Sequence, residues 1–90
     1  MTTEPREIRL KRLTMRSMRR GIKEMDILLS RFAAARLSAM DAAALDLYEA
    51  LLEESDQDLY QWVSGQVPAP DVYAPLIAEI AETSQERAAK

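Results

Sequence analysis

The sequence predicts an all-α protein, a compact five-helix bundle formed by a single domain, and three observations support this class. Only two glycines and four prolines interrupt the 90 residues. Strong helix formers, chiefly Ala, Leu, Met, Glu, Arg and Gln, make up most of the chain. Apolar residues recur at i, i+3, i+4 spacing from residue 22 onward. At this length we expect one domain over residues 1–90 with a thin core, helical over about 6–85 and frayed at both ends.

The first two predicted helices meet at a glycine. The segment from about Arg6 to Arg19 favours helix, but its apolar residues spread around the helical wheel, so its packing partners stay unassigned. Gly21 then marks either a turn with positive φ or a close backbone approach. A clear helix follows to near Arg36. The apolar residues of its core face are Ile22, Met25, Leu28, Leu29, Phe32 and Ala33.

Capping residues separate the third and fourth predicted helices. Ser38 is the expected N-cap of the third helix, with Asp41 as an acid in its first turn. Ser55 or Asp56 caps a short fourth helix, which ends at Gly65, a typical C-terminal glycine.

The fifth predicted helix follows an extended, proline-containing connector at residues 67–70. Asp71 is its expected cap, and Pro75 is compatible only with its first turn. Large side chains at helical spacing in the third and fourth helices predict core positions, because such residues usually fill interiors. These positions are Tyr48, Leu52, Leu59 and Trp62.

The composition excludes several classes of function. The chain has no cysteine and no histidine, so thiol chemistry, the usual general base and the commonest metal ligands are missing. No apolar run approaches the roughly 18 residues that span a bilayer. Glu4 and Glu7 argue against an organelle transit peptide, which is nearly free of acids. We therefore expect no membrane insertion and a bacterial cytoplasmic location.

Charge is divided unevenly along the chain. Residues 1–23 hold eight of the twelve Lys and Arg with two acids, whereas residues 24–90 hold the other four with thirteen acids. The basic end suggests one alternative function, a small helical domain that binds nucleic acid. The acidic remainder opposes it, since most of the surface would repel a phosphate backbone. We expect no nucleic-acid partner.

The junction between the first two helices concentrates charge and a glycine. If the chain is helical from Arg20 onward, i, i+4, i+7 spacing places Arg20, Glu24 and Ile27 on one solvent-facing strip. One interpretation is an exposed Arg20–Glu24 ion pair of little energetic consequence. The other is a docking patch for a partner protein, in which Ile27 is an apolar contact ringed by charges.

Two sequence blocks resemble one known family. Arg20-Gly21-x-x-Glu24, continuing to Asp26, resembles the RGxxE signature of the succinate dehydrogenase assembly factor 2 family, whose bacterial members are called FAD assembly factors or flavinators. The second block, Leu51 to Trp62, resembles the family's L-L-E and D-x-D-L motifs followed by an aromatic residue and a tryptophan. The likeness covers about residues 9–82, and this family also adopts a five-helix layout.

The resemblance implies an assembly factor rather than an enzyme. It implies binding to the flavoprotein subunit of succinate dehydrogenase, with that of fumarate reductase as a second client, and promotion of covalent FAD attachment to a histidine of that partner. No stably bound cofactor and a monomeric state are expected for this chain. The residues expected to face the partner are Arg19, Arg20, Gly21, Glu24, Asp26 and Ile27.

Overall fold

A computed structural model describes the backbone of residues 4–88 and the side chains as far as Thr83. It contains five α-helices and no strand in this range, so the predicted all-α class is confirmed. A short 3-10 turn, Leu37–Ala39, joins the second helix to the third. The helices are α1 Arg6–Arg16, α2 Lys23–Arg36, α3 Ala42–Leu52, α4 Asp56–Ser64 and α5 Ala74–Ala88.

Side-chain and glycine caps set the ends of α3 and α4. Ser55 accepts a hydrogen bond from the Asp58 amide at 3.2 Å, and Gly65 ends α4 with φ of 85°. Both predicted caps are confirmed. The predicted cap of α3 is wrong: Ser38 lies in the 3-10 turn, and Asp41 accepts from the Ala44 amide at 2.8 Å instead.

The remaining boundaries differ little from the predicted ones. α1 ends at Arg16 rather than Arg19 because the chain leaves the helix at the junction with α2. α5 starts at Ala74, which puts Pro75 in its first turn as predicted. The same helix continues to Ala88, past the predicted end of the helical core near residue 85.

The core forms around α2, which contacts α1, α4 and α5. Of the four predicted core positions in α3 and α4, Tyr48, Leu52 and Leu59 are buried. Trp62 is only half-buried and packs at the edge of the core, its ring 6.0 Å from that of Tyr73. The side chains buried most completely are Leu13, Met25, Leu29, Phe32, Tyr48, Leu51, Leu59 and Ile80.

α1 lies beside α3 through a row of ion pairs, here called the ion-pair seam. Nitrogen–oxygen distances are 2.6 Å for Arg9–Asp46, 2.8 Å for Arg12–Glu49 and 2.5 Å for Arg16–Glu53. Partners in all three pairs are 37 residues apart. A constant offset requires the two helices to run side by side in the same direction.

A buried hydrogen bond lies beneath this seam. The Ser17 and Tyr48 hydroxyls are 2.6 Å apart, and both side chains are fully buried. Ser17 also donates to the Leu13 carbonyl at 2.8 Å. Burial raises the pKa of the Tyr48 hydroxyl to about 12. α1 is therefore held by polar contacts together with Leu13, the one residue of this helix that is fully buried in the core.

Candidate docking site

The chain turns sharply between α1 and α2, over residues 17–22. Arg19 has φ of 55°, the only positive φ of a non-glycine residue within the described range, and its side chain is exposed. Gly21 does not have positive φ, so that predicted explanation for the glycine is wrong. The other explanation, a close approach, holds, but the approaching group belongs to this same chain.

Arg20 is largely buried in this turn, with 12% of its side chain exposed. Its Nε donates to the Asp56 carboxylate at 2.8 Å. The two terminal nitrogens donate to the backbone carbonyls of Arg16 and Leu52, both at 3.1 Å. These carbonyls lie at the C-terminal ends of α1 and α3, where helices leave acceptors unsatisfied. Arg20 therefore joins the ends of two helices to the start of α4.

Asp56 completes the arrangement with its second oxygen. Its Oδ2 accepts from the Gly21 amide at 2.6 Å, while Oδ1 accepts from Arg20. A Cβ at position 21 would lie 3.0 Å from Oδ2, closer than ordinary packing allows. We call the contacts of Arg20, Gly21 and Asp56 the Asp56 clamp. It explains why a glycine follows the arginine.

The predicted placement of Arg20 on a shared surface strip with Glu24 is wrong. α2 begins at Lys23, so Arg20 precedes the helix and lacks its spacing. All three guanidinium nitrogens donate elsewhere, and the alternative of an Arg20–Glu24 ion pair is therefore wrong as well. Among the side chains that the structure describes, which end at Thr83, none forms a hydrogen bond or ion pair with the exposed Glu24 carboxylate.

Glu24 and Ile27 line an open groove of about 350 Å³ between α2, α4 and α5. Ile27 is 40% exposed despite being apolar. Glu24 is the one charged residue among those that line the groove, and the other side chains are mostly apolar. The full lining is Glu24, Ile27, Leu28, Tyr60, Val63, Ser64 and Ala81.

Asp26 lies apart from this groove. It is half-buried, and its Oδ1 is 3.3 Å from the Ser30 hydroxyl, which is also 3.5 Å from the Ser17 carbonyl. This contact faces the junction with α1. Of the six residues expected to face a partner, only Glu24 and Ile27 are brought together on the groove.

Four of the eight basic residues in residues 1–23 form ion pairs with acids of this same chain. Hydrogen bonds, first from Arg12 and also from Arg9, lower the pKa of the Glu49 carboxyl below its usual value. Arg6 donates to the Ser38 and Met40 carbonyls. Arg16 and Arg20 are paired as described above. This pairing weighs against the nucleic-acid alternative, because phosphate binding needs clustered cations that are free to contact it.

Asp56 is the functional candidate that sequence reasoning missed. In the sequence it is an alternative cap of α4 or an acid of its first turn, and it shares that turn with Asp58. The two acids look equivalent in sequence, but Asp56 alone contacts the turn. A signal existed in the chain: Arg9, Arg12, Arg16 and Arg20 repeat at helical spacing, and Asp46, Glu49, Glu53 and Asp56 repeat it nearly in step.

The fold and the site together define a small helical protein with an internally clamped turn beside an open, mostly apolar groove. A family model described as flavinator of succinate dehydrogenase matches residues 11–84. The chain therefore belongs to the flavinator of succinate dehydrogenase family. Both blocks that carried the resemblance, and the clamp that joins them, lie inside the matched range.

Curated relatives from yeasts support this membership. A protein of Meyerozyma guilliermondii is 44% identical over 73 residues, which cover 78% of this chain and 54% of the relative. A protein of Saccharomyces cerevisiae is 38% identical over an alignment covering 96% of this chain and 56% of the relative. Both are named succinate dehydrogenase assembly factor 2, mitochondrial. The chain thus spans about half the length of these relatives.

The relatives' names bear on the expected location. They are mitochondrial proteins by name, and the bacterial cytoplasmic location stays a prediction from the sequence. In the part of the chain that the structure describes, no helix has the length and apolar character needed to cross a membrane.

Proposed function

We propose that this chain binds the flavoprotein subunit of succinate dehydrogenase and promotes covalent attachment of FAD to that subunit. Membership of a family described as a flavinator supports the client and the outcome. The observation that carries the docking site is the exposed Glu24 carboxylate on an apolar groove beside Ile27. An exposed apolar surface rimmed by polar groups is typical of protein interaction sites.

The proposed mechanism needs no catalytic group from this chain. With neither cysteine nor histidine in the sequence, the nucleophile is assigned to a histidine of the partner. Covalent attachment requires that nucleophile to be held close to the flavin in the reacting geometry, and a docked protein supplies this by restricting the partner's motion. FAD is therefore the partner's cofactor, and this chain is proposed to bind none stably.

Glu24 is proposed to make the decisive polar contact with the flavoprotein. Its carboxylate needs no rearrangement within this chain before it binds a donor, because no described partner competes for it. Removing such a contact after the interface is buried costs about 2–5 kcal/mol, since the partner's donor stays unpaired. Ile27 and the groove supply the apolar contact that excludes water around it.

The test combines binding with a direct measurement of the product. The flavoprotein subunit is produced with and without this chain, and covalent flavin is scored by fluorescence after denaturing electrophoresis. Glu24→Gln should weaken binding at least about tenfold and lower covalent flavin, while unfolding free energy changes by less than about 0.5 kcal/mol. Glu7→Gln, at an exposed acid of α1, is the matched control and should behave as wild type.

Ile27→Ser tests the apolar half of the site. Its control is Val72→Ser, because Val72 is an apolar residue that is 61% exposed and does not line the groove. Weaker flavoprotein binding in the first variant alone supports the groove. Equal binding by both, or wild-type flavinylation with Glu24→Gln, would contradict the proposed site. The same assay with the fumarate reductase flavoprotein decides whether it is a second client.

A further inference from the structure

Asp56 has both carboxylate oxygens occupied by groups of the α1–α2 turn. Oδ1 accepts from Arg20 at 2.8 Å and Oδ2 accepts from Gly21 at 2.6 Å. Only 17% of the side chain is exposed, so little of it is available to another molecule. We infer that Asp56 is a positioning residue for flavoprotein docking, which acts by fixing the start of α2 against α4. This inference rests on the function proposed above.

The Asp56 clamp and the groove both lie where α2 and the turn before it meet α4. On α4, Asp56 is followed at helical spacing by Tyr60, Val63 and Ser64, which form a wall of the groove. On the opposite side Gly21 lies two residues before the first residue of α2, and this helix carries Glu24 and Leu28 on the other wall of the groove. The clamp therefore ties one end of both walls, and a shift at Asp56 changes where Glu24 lies relative to Tyr60.

Gly21 depends on the same contact. Its amide is the donor to Oδ2, and a Cβ there would lie 3.0 Å from that oxygen. A side chain at position 21 would require Asp56 Oδ2 to shift by a few tenths of an ångström even if the flavoprotein never touched this residue. Substitutions of Gly21 and of Asp56 should therefore affect docking through the same cause, which is loss of the contact between these two residues.

The competing explanation is that Asp56 serves only the N-terminus of α4. An acid in the first turn of a helix is favourable wherever it lies in that turn. Asp58 occupies the same turn, is exposed, and lies outside the clamp, so it provides a matched control for charge and helix position. Tyr48→Phe provides a second control, because it removes the hydrogen bond to Ser17 at the start of the turn and leaves both hydrogen bonds of Asp56 in place.

The experiment measures binding of the flavoprotein subunit to wild type, Asp56→Asn, Asp58→Asn, Gly21→Ala, Tyr48→Phe and the Gly21→Ala/Asp56→Asn double variant. Each concentration is corrected for the folded fraction by circular dichroism. We expect Asp56→Asn to weaken binding about tenfold or more, and Asp58→Asn and Tyr48→Phe to stay within about twofold of wild type. The double variant should be no weaker than the weaker single variant, because coupled sites are not additive.

Chemical shifts give a readout at the clamp itself. The Gly21 amide proton should move upfield in Asp56→Asn and stay in place in Asp58→Asn, because only the first change removes the carboxylate acceptor. If Asp56→Asn does not fold, Gly21→Ala crowds the same contact from the other side and decides the result. A folded Gly21→Ala protein with wild-type affinity would overturn the inference.

Two further outcomes separate this inference from the proposed function. If the wild-type chain binds the flavoprotein and Asp56→Asn binds it with the same affinity, the positioning role is overturned and the proposed function is left intact. The same holds if the losses of affinity in Gly21→Ala and Asp56→Asn multiply in the double variant. Failure of the wild-type chain to bind the flavoprotein would overturn both.

Discussion

Arginine guanidinium groups pair with carboxylates in two regions of the molecule, the ion-pair seam between α1 and α3 and the Asp56 clamp between the turn and α4. The surroundings of these pairs differ. On the seam, Asp46 and Glu53 are 71% and 70% exposed, whereas the clamp residues Arg20 and Asp56 are 12% and 17% exposed. Exposed pairs contribute about 0.2–1 kcal/mol each, but breaking a buried pair costs several times more. We therefore expect the pairs of Asp46 and Glu53 to tolerate substitution better than the clamp does.

The two regions also differ in what they leave open. Along the ion-pair seam the arginines of α1 are matched by acids of α3, so little charge remains for another molecule. The Asp56 clamp lies beside the groove, where Glu24 is exposed and lacks a described partner. The surface with fewer internal contacts is the one that suits a partner.

Arg20→Ala should give the largest effect and tests the clamp side of the comparison. It removes hydrogen bonds to Asp56 and to two helix-end carbonyls, so we expect a loss of about 3 kcal/mol in unfolding free energy. Urea denaturation measures it. Lys23→Ala, at an exposed cation of α2, should change stability by less than about 0.5 kcal/mol. Equal losses in the two variants would show that Arg20 is not buried.

Tyr48→Phe should give an intermediate effect and tests the buried bond beneath the ion-pair seam. It removes one hydrogen bond to Ser17, which keeps its bond to the Leu13 carbonyl, so a loss of about 1 kcal/mol is expected. Thermal unfolding is the measurement. Tyr73→Phe is the control, since its hydroxyl contacts Glu54 at 3.3 Å at a half-buried position. A larger loss of stability in Tyr73→Phe than in Tyr48→Phe would contradict the importance given to the buried Tyr48–Ser17 hydrogen bond.

Glu49→Gln should give the smallest effect and tests whether the ion-pair seam responds to pH. The folded-state pKa of Glu49 is lowered, so its contribution to stability is present above the unfolded pKa and is lost as pH falls through the folded one. The variant should thus lose less stability than wild type on acidification below about pH 4.3. Urea unfolding at several pH values measures this slope. Glu7→Gln should retain the wild-type slope.

The helix order was predictable because its signals are local. Ser55, Gly65 and Pro75 mark ends or first turns through backbone chemistry that acts within a few residues. The 3-10 turn was missed because Ser38 and Asp41 are both good caps, and tertiary packing of the buried Leu37 decides between them. The half-buried position of Trp62 likewise depends on a contact outside its own helix, with the ring of Tyr73.

The site was predictable only in part. Glu24 and Ile27 lie on the exposed side of α2, as helical spacing predicted, because both belong to one continuous helix. Arg20 was misplaced because its partner Asp56 is 36 residues away, and no local rule distinguishes Asp56 from Asp58. The role of Arg20 as a direct contact with the partner stays a prediction, as do the roles of Arg19, Gly21 and Asp26.

The constant 37-residue offset of the ion-pair seam has a consequence for synthesis. α1 has 11 residues, which is too short for a stable isolated helix in water. Its matching acids leave the ribosome 37 residues later, which takes about 2–7 s at ordinary rates of elongation. Until then the first arginines have no acids of α3 to bind. α1 therefore cannot complete its ion pairs until α3 has been synthesised.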